Sequence, residues 1–488
     1  MSVAIIPVIS IDRKARTPLH KQIYDSYRDA IVSGAVHPGQ RVLSTRGLAS
    51  ELGVSRIPVL GAYAQLTAEG YFQSRTGAGT TVSLSLPDQS VLAGERSPGC
   101  VTTRSSGGRR VARHPSLPES ITNPPWRRGW GAFGVGQVAA DHFPFRDWNR
   151  LVARHTRSMR AKSLDYGHPM GLKELREAVA SYLRTARGVR CEADQIMIVS
   201  GSQQALDVSV RVLLDAGSRV WVEEPGYRYA RHVFALNGCQ IVPVPVDDEG
   251  LNVAVGVRRC PDARAVVVTP SHQYPLGVAM SAARRLQLLD WAARAGSWIL
   301  EDDYDSDYRY ESMPISSLQG LDSNARVIYI GTFSKVLFPS LRLGFLVIPP
   351  DLVDRFLVVR LSMDIGPAIF SQAVLADFIQ EGHFSRHIRR MRLLYRERRN
   401  ALVECIEKEF GDAVEVTGEQ AGMHLCVVLK GIADREIALR AAQAKLWLVP
   451  LSSSYVGKRA RQGFVLGFGS TSKSEMAGAV RRLRALVN

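Results

Sequence analysis

No apolar stretch of this chain approaches the roughly 18 residues that a membrane-spanning helix needs, which argues against a helical membrane anchor. Met1 to Ile11 is apolar but short. It has neither a basic leader nor a small-residue cleavage site, so it reads as a first strand or arm rather than a signal peptide. Cysteine is scarce, with six in 488 residues: Cys100, Cys191, Cys239, Cys260, Cys405 and Cys426. None forms a CxxC pair and no histidine group has zinc-ligand spacing, so no metal site is expected. Scattered cysteines in a long chain suit a reducing cytoplasm, and all six read as buried small hydrophobes. Acidic residues are outnumbered, 46 against 62 Lys and Arg, for a net charge of +16. A basic balance suits a polyanionic partner, because each phosphate contact releases counterions. The excess does not locate the contact: residues 1–83 carry 9 basic and 5 acidic side chains, only +4. No internal repeat is present.

What the chain does have is segmentation. A length of 488 residues argues for more than one domain. Near the start, Ile23, Tyr27 and Ile31 recur at helical spacing, and Ser33-Gly34 with Pro38-Gly39 stop that helix. A short helix is predicted over Thr45 to Leu52. Gly53-Val54-Ser55 makes a tight turn with Ser55 as N-cap, and a third helix follows over about Arg56 to Glu69, closed by Gly70. Pro58 is tolerated in the first turn, where amides lack helical partners. Tyr71 to Arg75 and Thr80 to Val82 flank Thr76-Gly77-Ala78-Gly79 and predict a hairpin, or wing. Residues 84–125 hold Pro87, Pro98, Pro115, Pro118, Pro124 and Pro125 with Ser105-Ser106-Gly107-Gly108. This is a linker, made basic by Arg104, Arg109, Arg110 and Arg113, and it reads as a solvated tether. Beyond it, short apolar runs at 196–199, 219–222, 265–269, 297–300 and 327–330 alternate with helical segments such as Ala282 to Ala295. Buried strands with crossover helices predict a mostly parallel α/β sheet over 126–488.

Two groups of residues carry chemistry. A recognition helix needs polar groups at its N-terminal end to reach base edges and phosphates, and Ser44, Thr45, Arg46, Ser55 and Arg56 stand there. The stretch Leu43-Ser44-Thr45-Arg46-Gly47-Leu48-Ala49, followed by Gly53-Val54-Ser55-Arg56, resembles the GntR-type winged helix-turn-helix. In the large segment, Ser200-Gly201-Ser202-Gln203-Gln204 follows one strand and opens a helix, an arrangement of free amides and hydroxyls suited to an anion. Glu301-Asp302-Asp303-Tyr304 closes another strand, where open α/β sheets bind ligands. Thr332-Phe333-Ser334-Lys335 and Pro339-Ser340-Leu341-Arg342-Leu343-Gly344-Phe345 come later. In order and spacing these match the fold type I aminotransferases over roughly residues 126–488.

That resemblance implies pyridoxal 5'-phosphate (PLP) bound as a Schiff base on Lys335. It implies Asp302 on the pyridinium nitrogen, which keeps the ring an electron sink, and Tyr304 on the phenolic oxygen. Ser202, the Gln203 amide, Thr332 and Arg342 would meet the phosphate. Tyr227 would stack on the ring, and Tyr166 would reach the phosphate of the neighbouring subunit of a head-to-tail homodimer. A GntR-type winged helix fused to this fold resembles the MocR subfamily of regulators, as do Gly136 to Trp148, Pro270-Ser271-His272-Gln273-Tyr274-Pro275 and Arg389 to Arg398. The arginines of the last stretch read equally as a basic face for DNA, a solvated helix or an inter-subunit helix.

Three positions depart from the patterns. Where the winged helix often has an Arg four residues after that of the Ser-Arg pair, this chain has Leu60. Tyr274-Pro275-Leu276-Gly277 replaces the Asn-Pro-x-Gly whose Asn supports the PLP oxygen, leaving more of that role to Tyr304, with His272 or Gln273 as helpers. Val465-Leu466-Gly467-Phe468 stands where many relatives have Arg-Leu-Gly-Phe, and valine cannot clamp a carboxylate. Arg228, Arg231 and Arg461 are the substitutes to consider. The expectation is a cytoplasmic, dimeric regulator of double-stranded operator DNA whose PLP domain senses PLP, an amine or an amino acid. A working aminotransferase with a DNA-binding appendage, and a degenerate PLP domain used only for dimerisation, are the competing readings.

Overall fold

The computed structural model describes residues 7, 9, 11–15, 17–75, 79–86, 131–159, 165–310, 316–457 and 460–487. The expected linker beyond residue 86, Cys100, the wing tip at 76–78 and most of the expected N-terminal arm lie outside them. The chain divides into two compact units, Met1–Arg110 and Val111–Asn488.

The small unit is a helix-turn-helix with a wing. Its helices are α1 (Leu19–Val32), α2 (Thr45–Glu51) and α3 (Arg56–Ala68). Apolar positions at helical spacing bury one face of each: Ile23, Tyr27 and Ile31 from α1, Leu48 from α2, and Val59, Ala62, Tyr63 and Leu66 from α3. Tyr27, Tyr63 and Phe72 pack edge to face at centroid distances of 5.1–5.7 Å. The Tyr63 hydroxyl donates to the Leu43 carbonyl at 3.0 Å, so the core also fixes the entry to α2. The wing pairs β1 (Phe72–Arg75) with β2 (Gly79–Val82), antiparallel, and Arg41 adds a bridge to Thr81. Both expected helix starts are in place, with Ser44 and Ser55 at the N-cap positions, but only one makes a side-chain bond. Ser44 caps α2 by accepting the Gly47 amide at 3.1 Å, but Ser55 makes no side-chain cap bond on α3. Pro58 is the third helical residue and has no N–H, which removes one of the two amides an N-cap oxygen accepts.

The large unit is built on an eight-stranded sheet. Its strands are β3 (Ile196–Val199), β4 (Arg219–Glu224), β5 (Gln240–Asp247), β6 (Gly250–Leu251), β7 (Ala265–Val268), β8 (Trp298–Asp303), β9 (Val327–Thr332) and β10 (Gly344–Val347), in the order β3-β10-β9-β8-β7-β4-β5-β6. The run β5-β4-β7-β8-β9 is parallel, as predicted. Beside it, β10 lies antiparallel between β9 and β3, a strand the sequence reading passed over. The sheet is apolar on both faces. Ile196, Ile198 and Val347 face one cluster, and Met197, Val199, Leu346 and Ile348 the other.

A second sheet, also not anticipated, is antiparallel. It joins β11 (Val414–Thr417), β12 (His424–Leu429), β13 (Val449–Pro450) and β14 (Gly463–Gly467) in the order β11-β12-β14-β13. The helices His383–Phe410 and Lys473–Val487 share the core on one of its faces. Arginines of the first helix hold backbone carbonyls of their own unit. Arg390 bonds His142 O, Arg392 bonds Asp307 O at 2.9 Å, and Arg398 bonds Gly469 O. Cys191, Cys239, Cys260 and Cys426 are buried as expected, whereas Cys405 is only half-buried at the edge of that core. No described helix is long and apolar enough to cross a membrane.

Candidate functional site

The parallel strands of the large sheet end at one cavity of about 490 Å³. Eight of the residues proposed for a cofactor line it: Lys335, Asp302, Tyr304, Ser202, Gln203, Tyr227, Thr332 and Arg342. Tyr166 does not; it is 81% exposed.

Lys335 sits in the tight turn after β9, its Nζ 3.5 Å from the carbonyl oxygen of Gly136. Gly136 has φ 76°, a conformation that favours glycine, and a Cβ there would come within 2.2 Å of that nitrogen and displace the lysine end. Asp302, on β8, is buried with Oδ1 unpartnered among the described residues. Burial, and then the charges of Asp303, Glu223 and Asp305, push its carboxyl up to about 7, against the opposing pull of Lys335. Asp303 has a structural post instead, in a buried ion pair with Arg187 at 2.7 Å.

At the other end, Gly201 (φ 118°) caps the helix Ser202–Leu213. The amides that open this helix, the Ser202 and Thr332 hydroxyls and the Arg342 guanidinium border the same space. A Cβ on Gly201 would meet Arg342 Nη1 at 3.6 Å, which puts the guanidinium directly over the helix start. Arg342 itself has φ 52°, an uncommon conformation of the kind that clusters at ligand clamps.

Tyr304 donates to the His272 carbonyl at 3.0 Å and lies 3.2 Å from His272 Nδ1. Of the two suggested helpers, His272 is therefore the one that touches it. Gln273 is turned away, donating to Glu223 Oε2 at 3.2 Å and Pro225 O at 2.9 Å. His272, Asp305 and His424 form a buried cluster behind Tyr304 that spacing did not reveal. His272 Nδ1 is 3.1 Å from Asp305 Oδ2, and the rings of His272 and His424 are 4.6 Å apart. Burial holds His424 well below the usual histidine range, with His272 and Lys335 adding to the effect.

Val465, where a carboxylate clamp was missed, lies on β14, registered between Cys426 and Val449 and fully buried. Strand alternation puts it on the same sheet face as His424 and Val449, which line the cavity. Of the three substitutes considered, Arg231 is engaged by the Ser454 carbonyl at 2.5 Å and Arg461 by Glu415 at 2.6 Å. Arg228 lines the cavity. Sequence reasoning missed Ser453 and Ser454, which reach the same wall from the short 3-10 helix Leu451–Ser454, a stretch without a motif.

In the small unit, Ser44, Arg46, Ser55 and Arg56 are exposed, and Thr45 is half-buried, at the N-terminal ends of α2 and α3. Arg56 Nε donates to Thr45 Oγ1 at 3.2 Å and so ties the two helix starts together.

Comparison with known proteins matches both units. Residues 19–82 fit the family of bacterial regulatory proteins, gntR family, and residues 131–483 fit aminotransferase class I and II. The probable rhizopine catabolism regulatory protein MocR of Rhizobium meliloti is 39% identical over 482 residues, 98% of this chain and 95% of that one. The chain belongs to the MocR subfamily of GntR-type transcription regulators. Another relative of this MocR-type chain is the pyridoxine biosynthesis transcriptional regulator PdxR of Corynebacterium glutamicum, 31% identical over 95% of this chain and 94% of the relative. Among solved structures, a Pyrococcus horikoshii kynurenine aminotransferase in complex with PMP is 29% identical, with a TM-score of 0.69 over 74% of this chain and 92% of its own. LysN, an alpha-aminoadipate aminotransferase from Thermus thermophilus complexed with N-(5'-phosphopyridoxyl)-L-leucine, is 28% identical, with a TM-score of 0.68 over 74% and 92%. The large unit of the MocR-type chain thus has the fold on which those enzymes hold a pyridoxyl group.

Proposed function

We propose that this MocR-type chain is a cytoplasmic regulator that binds operator DNA through residues 1–83 and PLP on Lys335. It reads cavity occupancy by PLP itself, or by an amine that reacts with it, and acts as a head-to-tail homodimer. Residues 84–125 serve as the tether between the two functions. The observation that carries the reading is Asp302. A carboxylate buried without a partner is costly unless a cation meets it, and the protonated ring nitrogen of PLP is such a cation. The rest of the cavity fits the same group, with an amine at Lys335 and anion donors at Ser202, Gln203, Thr332 and Arg342. Bound PLP supplies an aldehyde carbon reactive toward primary amines and a ring that absorbs visible light.

The chain's own residues then divide the work. Arg342 and the amides at the start of the helix Ser202–Leu213 hold the phosphate. Asp302 keeps the ring nitrogen protonated, while Tyr304, whose single hydroxyl proton goes to the His272 carbonyl in this structure, would turn that proton to the phenolic oxygen. Tyr227 covers one ring face. Tyr166 of one protomer contributes to the phosphate site of the other. Turnover is not the purpose. Transamination needs the substrate's alpha C–H bond held across the ring plane, a carboxylate clamp fixes that orientation, and Val465 provides none.

The test is operator affinity measured on apo protein, on holo protein, and on holo protein with added amines. A difference between apo and holo supports PLP as the signal, and a difference that appears only with an amine supports the amine. Identical affinity in all states, or turnover of an alpha-amino acid on the order of 1 per second or faster, defeats the sensor reading.

A further inference from the structure

The helix that a helix-turn-helix presents to DNA is here almost without polar groups on its open face. Of the 13 residues of α3, only Arg56 is charged. Val59, Ala62, Tyr63 and Leu66 turn into the core. The opposite face is formed by Ile57, Leu60, Gly61 and Ala64, at spacings that stack on one side of a helix. Ile57 is 79% exposed and Leu60 44%, among the most exposed large apolar side chains of the unit. Gly61 and Ala64 are exposed too and add almost no height, and His20 of α1 flanks the face beside Gly61, its Cβ 3.6 Å from where a Gly61 Cβ would stand.

The side chains of Ile57, Leu60 and Ala64 cannot accept or donate hydrogen bonds to base edges. In the major groove the one apolar feature of the bases is the C5-methyl group of thymine. We propose that Ile57 and Leu60 read thymine methyl groups in the operator, so that sequence preference at those steps rests on apolar contact, while Arg46 and Arg56 hold phosphates or purine edges beside them. The occupant is duplex DNA rather than another protein surface for two reasons. The face lies within the stretch matched by the gntR family, residues 19–82. It also begins at the exposed Arg56, which is tied to the start of α2. The inference rests on the DNA-binding reading of that stretch given above.

Deoxyuridine in place of thymidine removes the methyl group and leaves every hydrogen-bonding atom, which makes it the direct probe. Duplexes that the full-length protein selects from a random library are resynthesised with single thymidine-to-deoxyuridine changes, and binding is measured at one fixed salt concentration. One or two positions are expected to lose roughly fourfold in affinity, the worth of one buried methyl group. Ile57→Ala or Leu60→Ala is expected to erase that difference, binding thymidine and deoxyuridine duplexes alike. Both side chains are solvent-exposed and alanine favours the helix, so the variants fold. The proposal is overturned if no position distinguishes the two bases. It is also overturned if the difference persists in both variants, or if they become monomeric while the parent is dimeric, which would make the face a contact between copies of this chain. Salt-dependent binding that survives without any methyl effect removes this proposal alone. Absence of salt-dependent binding to any duplex removes the DNA-binding reading with it.

Discussion

Replacing Asp302 with asparagine should make the cofactor-free protein more stable and the cofactor-loaded protein worse. The carboxyl is buried, and its neighbours Asp303, Glu223 and Asp305 repel a further negative charge, raising it from 3.8 to about 7. A tenfold change in acidity is worth about 1.4 kcal/mol. The ionised group is therefore roughly 4 kcal/mol costlier in the fold than in the unfolded chain. For an acid raised in this way the stabilising contribution is complete below 3.8. It is lost as pH rises, with the loss finished above about 7. Asparagine carries no such dependence. The stability gap between Asp302→Asn and the parent, both without PLP, should widen by about 2–3 kcal/mol from pH 5 to pH 8. Glu301, pushed by burial to about 7, titrates in both proteins, whereas Glu223, which repels Asp302, loses that repulsion in the variant and adds to the gap. For a unit of this size 1 kcal/mol moves the melting temperature by roughly 1–2 °C, so differential scanning calorimetry at the two pH values should show the gap grow by about 2–6 °C. Adding PLP at pH 8 should raise the parent's melting temperature more than the variant's, since only the parent offers a counter-charge to the ring. A gap that stays constant with pH, or that favours the parent at pH 8, would refute the account of Asp302.

Lys335→Ala should abolish visible absorbance and the borohydride-reducible adduct while leaving the fold and the dimer intact; labelling of another lysine in peptide mapping would overturn the assignment. Arg46→Ala combined with Arg56→Ala should weaken operator binding. If both touch phosphates, the variant should flatten the slope of log affinity against log salt by up to about 2, and footprinting like the parent's would count against these residues. Phe72→Ala, which empties the aromatic trio of the small unit, should cost about 3–5 kcal/mol there and abolish DNA binding while holo absorbance persists. Loss of both together would contradict two separate cores.

The sequence was legible where one residue type answers one physical demand. The helix Ala282–Ala295 and the strand Ile196–Val199 match their predicted bounds because apolar periodicity and capping agree there. Motifs that bind a charged group brought eight of nine proposed cofactor residues to one cavity. What escaped depends on register and on distant neighbours. β10 lay hidden in a stretch read for its arginine, and the antiparallel sheet includes a two-residue strand ending in proline, β13, too short to show a period. Whether Val465 matters could be read from its motif, but its placement on the face of His424 follows only from strand pairing. Ser55 stands at the N-cap of α3 as read, yet its side chain makes no bond there, and Pro58 withholds one of the two amides it could accept.

Gly136 belongs to the stretch 131–139, the first part of the large unit described after residue 86. The same stretch is pinned to β14 of the antiparallel sheet through the bridge Phe133↔Gly467 and to the segment before β13 through Ala132↔Leu446, and its Gly136 carbonyl meets Lys335 Nζ. One short run of backbone is thus held by both walls of the cavity. A ligand that draws the lysine nitrogen away must break or bend that contact, at a residue whose missing side chain lets the backbone turn freely. Occupancy of the cavity is therefore felt first in the backbone of residues 131–139, at the edge of the site rather than deep in the sheet.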